Sequence, residues 1–199
     1  MLNDSKKLSD FMKEAPKVKG VKKIIAIASA KGGVGKSTIS CNIANSLQKA
    51  GKNVALVDAD IYGPSIPHIM GLKGKPKNKN GMILPMMSSS IKCMSIGSII
   101  KDSEAGVWRG PMVSKILHQL IRSVNWTFDK KEVDVMIIDM PPGTGDIYLS
   151  LAHNFPIAGV MIVSTPQDLA IIDVIRSIDC FRKVMEQRNL CVFYGNGHG

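Results

Sequence analysis

Ten consecutive residues, Ser29-Ala30-Lys31-Gly32-Gly33-Val34-Gly35-Lys36-Ser37-Thr38, carry the strongest chemical signal in the chain. Small residues let backbone N–H groups curl round phosphate oxygens, and a helix that follows adds its positive N-terminal end. Lys36 is then placed to reach β- and γ-phosphates, and the Ser37 hydroxyl to ligate Mg²⁺. Ala30 stands where the first glycine of G-x-x-x-x-G-K-S would be, and Lys31 is a second cation inside the loop. Carboxylates appear at two further points. Asp58 and Asp60 close the apolar run Val54-Ala55-Leu56-Val57, and Asp139 closes Val135-Met136-Ile137-Ile138. An apolar strand ending on aspartate has the form of a Walker B element, with Asp139 near the magnesium through water. Met140-Pro141-Pro142-Gly143-Thr144-Gly145-Asp146 follows, a mix of rigid and permissive residues suited to sensing a γ-phosphate.

These groups need elements to hold them. Ile24-Ile25-Ala26-Ile27-Ala28 reads as a buried parallel strand ahead of the loop, and Ile39, Ile43 and Leu47 mark a helix behind it, running to about Ala50. A short helix is expected near His68 to Met70, and a surface loop from Gly71 to Gly81. Short strands are expected at Ile83 to Met86 and Ile91 to Ser95. Val113, Ile116, Leu117, Leu120, Ile121 and Val124 recur at helical spacing behind Trp108-Arg109-Gly110-Pro111-Met112. Gly159 to Ser164 reads as another buried strand, and Leu169, Ile172, Ile175, Ile178 and Phe181 as one side of the next helix. From Met185 onward the pattern weakens. Alternating strands and helices predict an α/β fold, a doubly wound, mostly parallel sheet. Residues 1–20 are expected as a basic mobile leader and residues 21–199 as a single domain.

The chain has 199 residues, 45% of them hydrophobic, enough for one domain with a real core. Its net charge of +10 is concentrated in lysines at positions 6–23 and 73–79. Such clusters can serve nucleic acid or an anionic membrane, but more often mark solvated segments, and neither partner is expected here. Cys41, Cys93, Cys180 and Cys191 form no C-x-x-C pair, and His68, His118, His153 and His198 show no metal-ligand spacing. Without a signal peptide or a membrane-length apolar run, a cytoplasmic location is expected.

At these residues the chain resembles the Mrp/ApbC group of ATPases, carriers of iron–sulfur clusters within the MinD/ParA class of P-loop NTPases. Residues 21–38, 54–69, 107–112 and 134–168 carry the likeness, and Asp60-Ile61-Tyr62-Gly63-Pro64-Ser65 and Trp108-Arg109-Gly110-Pro111-Met112 are far narrower signals than a bare P-loop. The resemblance implies a deviant Walker A loop whose Lys31 reaches across a homodimer to the partner's phosphates. It implies ATP and Mg²⁺ held by Gly32, Gly33, Val34, Gly35, Lys36, Ser37 and Thr38, with Gly143 in the switch. It assigns Asp60 to positioning the attacking water near the metal, Asp139 to Walker B, and apo iron–sulfur proteins as partners. The family's shared [4Fe–4S] cluster sits on a C-x-x-C pair from each of two subunits. No such pair occurs by Gly199, and the likeness fades near Val184. A truncated or frameshifted member lacking the family's last strands is therefore expected, with Cys191 a bystander. A ParA/MinD-like positioning ATPase and a non-enzymatic remnant are the alternatives.

Overall fold

Side chains alternate between the two faces of a strand, and the apolar runs of this chain fill both faces. The computed structural model describes residues 15–99, 110–143, 146–166, 172, 174, 175, 178 and 191–196. Nine strands are described: β1 Val21–Ala28, β2 Val54–Asp58, β3 Asn78–Lys79, β4 Met82–Ile83, β5 Met86–Ser88, β6 Ile91–Ser95, β7 Val133–Asp139, β8 Ile157–Ser164 and β9 Cys191–Asn196. The helices are α1 Lys36–Lys49, α2 Ile66–Ile69, α3 Gly110–Ser123 and α4 Asp146–Asn154. A seven-stranded sheet runs β5-β6-β2-β7-β1-β8-β9. Every neighbouring pair in it is parallel except β5 with β6. The expected doubly wound α/β architecture is what forms.

The alternation divides the core in two. Ile24, Ala26 and Ala28 of β1 join Val57, Met136 and Ile138 on one face, beneath Leu117, Leu120 and Ile121 of α3 and Leu151 of α4. Ile27 of β1, Leu56, Ile137 and Val163 face the other way, against Cys41 and Ala44 of α1 and Ile66 of α2. Among the described residues, Trp126 and Phe155 are the largest side chains fully enclosed. Trp126 Nε1 donates to the Ile121 carbonyl at 2.8 Å, so the polar end of its ring is satisfied.

Three expectations change. Residues 15–20 are not a loose leader: Ala15 and Val18 are buried, and Arg122 donates to the carbonyls of Pro16 and Lys17. The weak pattern after Met185 conceals β9, which pairs in parallel with β8. In the helix near residue 175, Val174 is buried and Ile178 packs against the core as expected, while Ile172 and Ile175 are exposed, so the apolar side runs through Val174 and Ile178. Leu169, Phe181, Trp108 and Arg109 lie outside the described residues, as do residues 1–14 of the leader.

Candidate functional site

Parallel pairing brings three carboxyl ends together. Ile27 of β1 stands beside Asp139 of β7, and Asp139 stands beside Asp58 of β2. The glycine loop leaves β1 there, and Asp60 follows β2. The ends of neighbouring parallel strands form the crevice where ligands bind in such sheets. Here they open a cleft of about 450 Å³ lined by Ser29, Gly32, Gly33, Gly35, Lys36, Ser37, Thr38, Asp60, Ile69 and Pro142, among others.

The loop conformation depends on glycine at two points. Gly33 (φ 77°) and Gly35 (φ 86°) are left-handed, a region that side chains with a Cβ disfavour. Gly35 is also the cap of α1, so the backbone turns from loop to helix there. Ala30, in place of a glycine, packs against the core. Lys31 is exposed on the outside of the loop. Gly143 takes φ 107° and donates its N–H to the Ser29 carbonyl at 2.9 Å, tying the switch to the start of the loop.

Lys36 Nζ lies 2.9 Å from Asp139 Oδ2, an ion pair with both side chains buried. The same oxygen accepts from Ser37 Oγ at 2.6 Å. Ser40 Oγ lies 2.8 Å from Asp139 Oδ1 and 3.0 Å from the Lys36 carbonyl. Burying an ion pair costs solvation, which attraction and added hydrogen bonds offset. The serines supply those bonds.

Asp60 lines the cleft, its Oδ1 accepting from Tyr62 N at 3.1 Å. Burial holds its carboxyl above the ordinary range, while Lys36 and the N–H groups of Tyr62 and Gly63 pull it back. Asp58 is fully buried and accepts from Asp60 N, Ile66 N and Ser95 Oγ. Burial, then the charge of Asp139, pushes it up to about 7. Asp58 therefore holds the Asp60 loop to α2 and β6.

Sequence reasoning missed three residues here. Ser40 is one helical turn beyond Lys36, and only the helix face reveals that it shares Asp139. Tyr148 of α4 donates its hydroxyl to the Pro141 carbonyl. Ser95 stands beside Asp58 on the neighbouring strand β6, far along the chain. The buried Ser29 hydroxyl has no hydrogen-bond partner among the described residues and lines the cleft. Of the expected residues, the structure brings together Gly32, Gly33, Gly35, Lys36, Ser37, Thr38, Asp60 and Asp139, with Val34 partly buried beside them. Thr144 and Gly145 of the switch lie outside the described residues.

The oxygen donors fit Mg²⁺, which takes hydroxyl, carboxylate, water and phosphate ligands. Among the described residues no three His, Cys, Asp or Glu side chains converge as a metal cage, and magnesium held largely by phosphate and water needs none. Cys41 and Cys93 are buried, and desolvation pushes both thiols up to about 12. Such thiols stay neutral and unreactive. No helix among the described residues is long and apolar enough to cross a membrane.

Residues 20–192 match a ParA-group family described as NUBPL iron-transfer P-loop NTPase. The iron–sulfur cluster carrier protein of Rickettsia conorii is 54% identical over 167 residues, 84% of this chain and 51% of that protein. The iron–sulfur cluster transfer protein NUBPL of Mus musculus is 45% identical over 170 residues, 84% of this chain and 52% of that protein. Among solved structures, a nucleotide-binding protein from Archaeoglobus fulgidus in complex with ADP superposes with a TM-score of 0.67 at 34% identity, over 83% of this chain and 63% of the other. The chain spans about half the length of the curated relatives it matches.

Proposed function

The chain belongs to the NUBPL-type iron-transfer P-loop NTPases of the ParA group, and from that premise we propose that it binds Mg-ATP and hydrolyses it in the service of iron–sulfur cluster transfer. The observation that carries this reading is that Lys36 and Ser37, which line the cleft at the carboxyl edge of the sheet, meet on Oδ2 of the buried Asp139 behind it.

Lys36 holds Asp139 in this structure and would turn to the β- and γ-phosphates when nucleotide enters. Ser37 would then hold the metal directly, and Asp139 would hold it through water. Bound Mg²⁺ neutralises charge on the phosphate oxygens that the transferring group develops. Asp60 would orient the attacking water from the far wall of the cleft, which also places it near the metal. The N–H groups of Gly32, Gly33, Val34 and Gly35, with Thr38 at the helix start, would cradle the phosphates, and Gly143 would report the γ-phosphate to the switch. In-line phosphoryl transfer asks for positioning and charge neutralisation, and each of these parts supplies one or the other.

Lys31, exposed on the loop, would reach the nucleotide of a second subunit, so that hydrolysis depends on a homodimer. The cargo in this reading is a [4Fe–4S] cluster delivered to apo iron–sulfur proteins. Its C-x-x-C ligands are not among these 199 residues. The +10 charge is the observation favouring a positioning ATPase on DNA or membrane instead. The identity to cluster carriers weighs against that alternative.

The test separates binding from chemistry. Asp60→Ala and Lys31→Ala should bind a fluorescent ATP analogue as the parent does and lose turnover by about a hundredfold or more. Normal turnover by Asp60→Ala would remove the water-positioning assignment.

A further inference from the structure

The long loop between α2 and β6 does more than connect them. From Ile61 to Lys101 the chain contains no Asp or Glu, while Lys73, Lys75, Lys77 and Lys79 fall close together. The loop carries its own small sheet, with Asn78 paired to Ile83 and Lys79 to Met82. Leu84 N donates to the Lys77 carbonyl at 2.8 Å, which fixes the hairpin base. Gly71 and Gly74 turn through left-handed conformations. The result is a second cleft, about 340 Å³, between residues 71–77 and the edge strand β5.

Its lining is of two kinds. Leu72, Leu84, Met86, Met87 and Phe128 give an apolar floor, and Lys73, Lys75 and Lys77 stand round it. Met87 is 44% exposed and Phe128 38%, values high for side chains of that size. Asp129, next to Phe128, is already committed to the buried Lys92, whose Nζ lies 2.7 Å from its Oδ1. Lys92 also bonds the carbonyls of Trp126 and Lys131, so the floor beneath Phe128 is rigid. The cleft thus presents exposed apolar surface inside a ring of positive charge.

We propose that this cleft between residues 71–77 and β5 is a docking site for an acidic peptide segment of a partner protein, anchored by one or two apolar side chains. Charge complementarity selects the occupant: the lysines call for carboxylates, and the floor calls for a leucine- or phenylalanine-like anchor. Methionine side chains adapt to differently shaped anchors, which suits a surface that meets more than one partner sequence. β5 ends the sheet among the described residues, and its backbone edge lies beside the cleft for an extended segment to follow. A concave floor is the wrong shape for a membrane surface, which takes a protruding apolar face. Single-stranded nucleic acid would want several stacking rings, where this floor has Phe128 alone. The short helix α2 separates this cleft from the first, with Ile69 lining one and Gly71 the other. The site stands apart from the nucleotide reading and does not depend on it.

The experiment is fluorescence anisotropy with three labelled or titrated probes. They are a glutamate-rich peptide of about a dozen residues bearing Leu and Phe anchors, a single-stranded oligonucleotide, and phosphatidylserine vesicles. The 199-residue chain is compared with Lys73→Glu/Lys75→Glu/Lys77→Glu and with Met87→Glu, all at exposed positions. The peptide should bind, and each variant should weaken it by about tenfold or more, with added salt weakening the parent's binding too. A lysine-for-glutamate version of the peptide should not bind. Circular dichroism melting confirms that the variants fold. No peptide binding by the parent, or binding untouched by both variants, would overturn the proposal. So would tighter binding of the oligonucleotide or the vesicles that the charge reversals abolish.

Discussion

Asp139 has two oxygens and three side chains seeking them. Lys36 and Ser37 share one, and Ser40 takes the other. Ser37 and Lys36 were legible because the loop pattern is local, a run of neighbours with fixed offsets. Asp139 was legible because an apolar strand closing on aspartate is local too. Ser40 was not, since its meaning lies across about a hundred residues of chain and appears only when α1 and β7 are packed. In the proposed site Ser40 orients the carboxylate that holds the metal's water. Ser40→Ala should therefore weaken Mg²⁺ dependence of nucleotide binding by about tenfold while leaving metal-free nucleotide binding alone. Titrating Mg²⁺ against a fluorescent nucleotide reads this directly, and an unchanged Mg²⁺ midpoint would assign Ser40 to packing.

At the scale of elements, the strands were read well and the pieces between them less well. Continuous β-branched runs identify buried parallel strands, whereas α4 and β9 owe their form to neighbours rather than to their own pattern. The loop from Asp60 to Ser65 shows how distant elements fix a site. Asp58 accepts from Ser95, Gly97 donates to Ser95 Oγ, and Gly97 lies against Pro64. A Cβ on Gly97 would fall 2.7 Å from Pro64 Cγ. Gly97→Ala should then cost about 1–3 kcal/mol of stability and lower turnover through the displaced Asp60 loop. Chemical denaturation and an ATPase assay on the same variant check both effects. A second element contact predicts a pH effect. His118 on α3 accepts from Arg122 Nε at 3.0 Å and lies against the Phe155 ring. Burial, then Arg122, holds its proton affinity below the ordinary histidine value. The unfolded chain therefore binds the extra proton first, and stability falls as pH drops through about 6.5. Melting at about pH 7.5 and 5.5 should show a larger loss for the parent than for His118→Gln, which keeps an acceptor and cannot titrate.

Across the whole molecule, the α/β class, the sheet type and the cleft at the glycine loop all followed from alternating elements and a few motifs. What escaped depends on packing: the anchoring of Pro16 and Lys17 by Arg122, the tie from Tyr148 to Pro141, and the cleft beside β5. The likeness to cluster carriers spans most of this chain and about half the length of those proteins, and the central claim is that these residues bind Mg-ATP through Lys36. A ligand that binds only the folded state raises its melting temperature, so thermal melting with and without Mg-ATP measures that claim most directly. At a hundredfold excess over Kd, the parent should gain roughly 5–10 °C and Lys36→Ala nothing. A parent that does not shift, or a Lys36→Ala variant that shifts equally, would contradict the account.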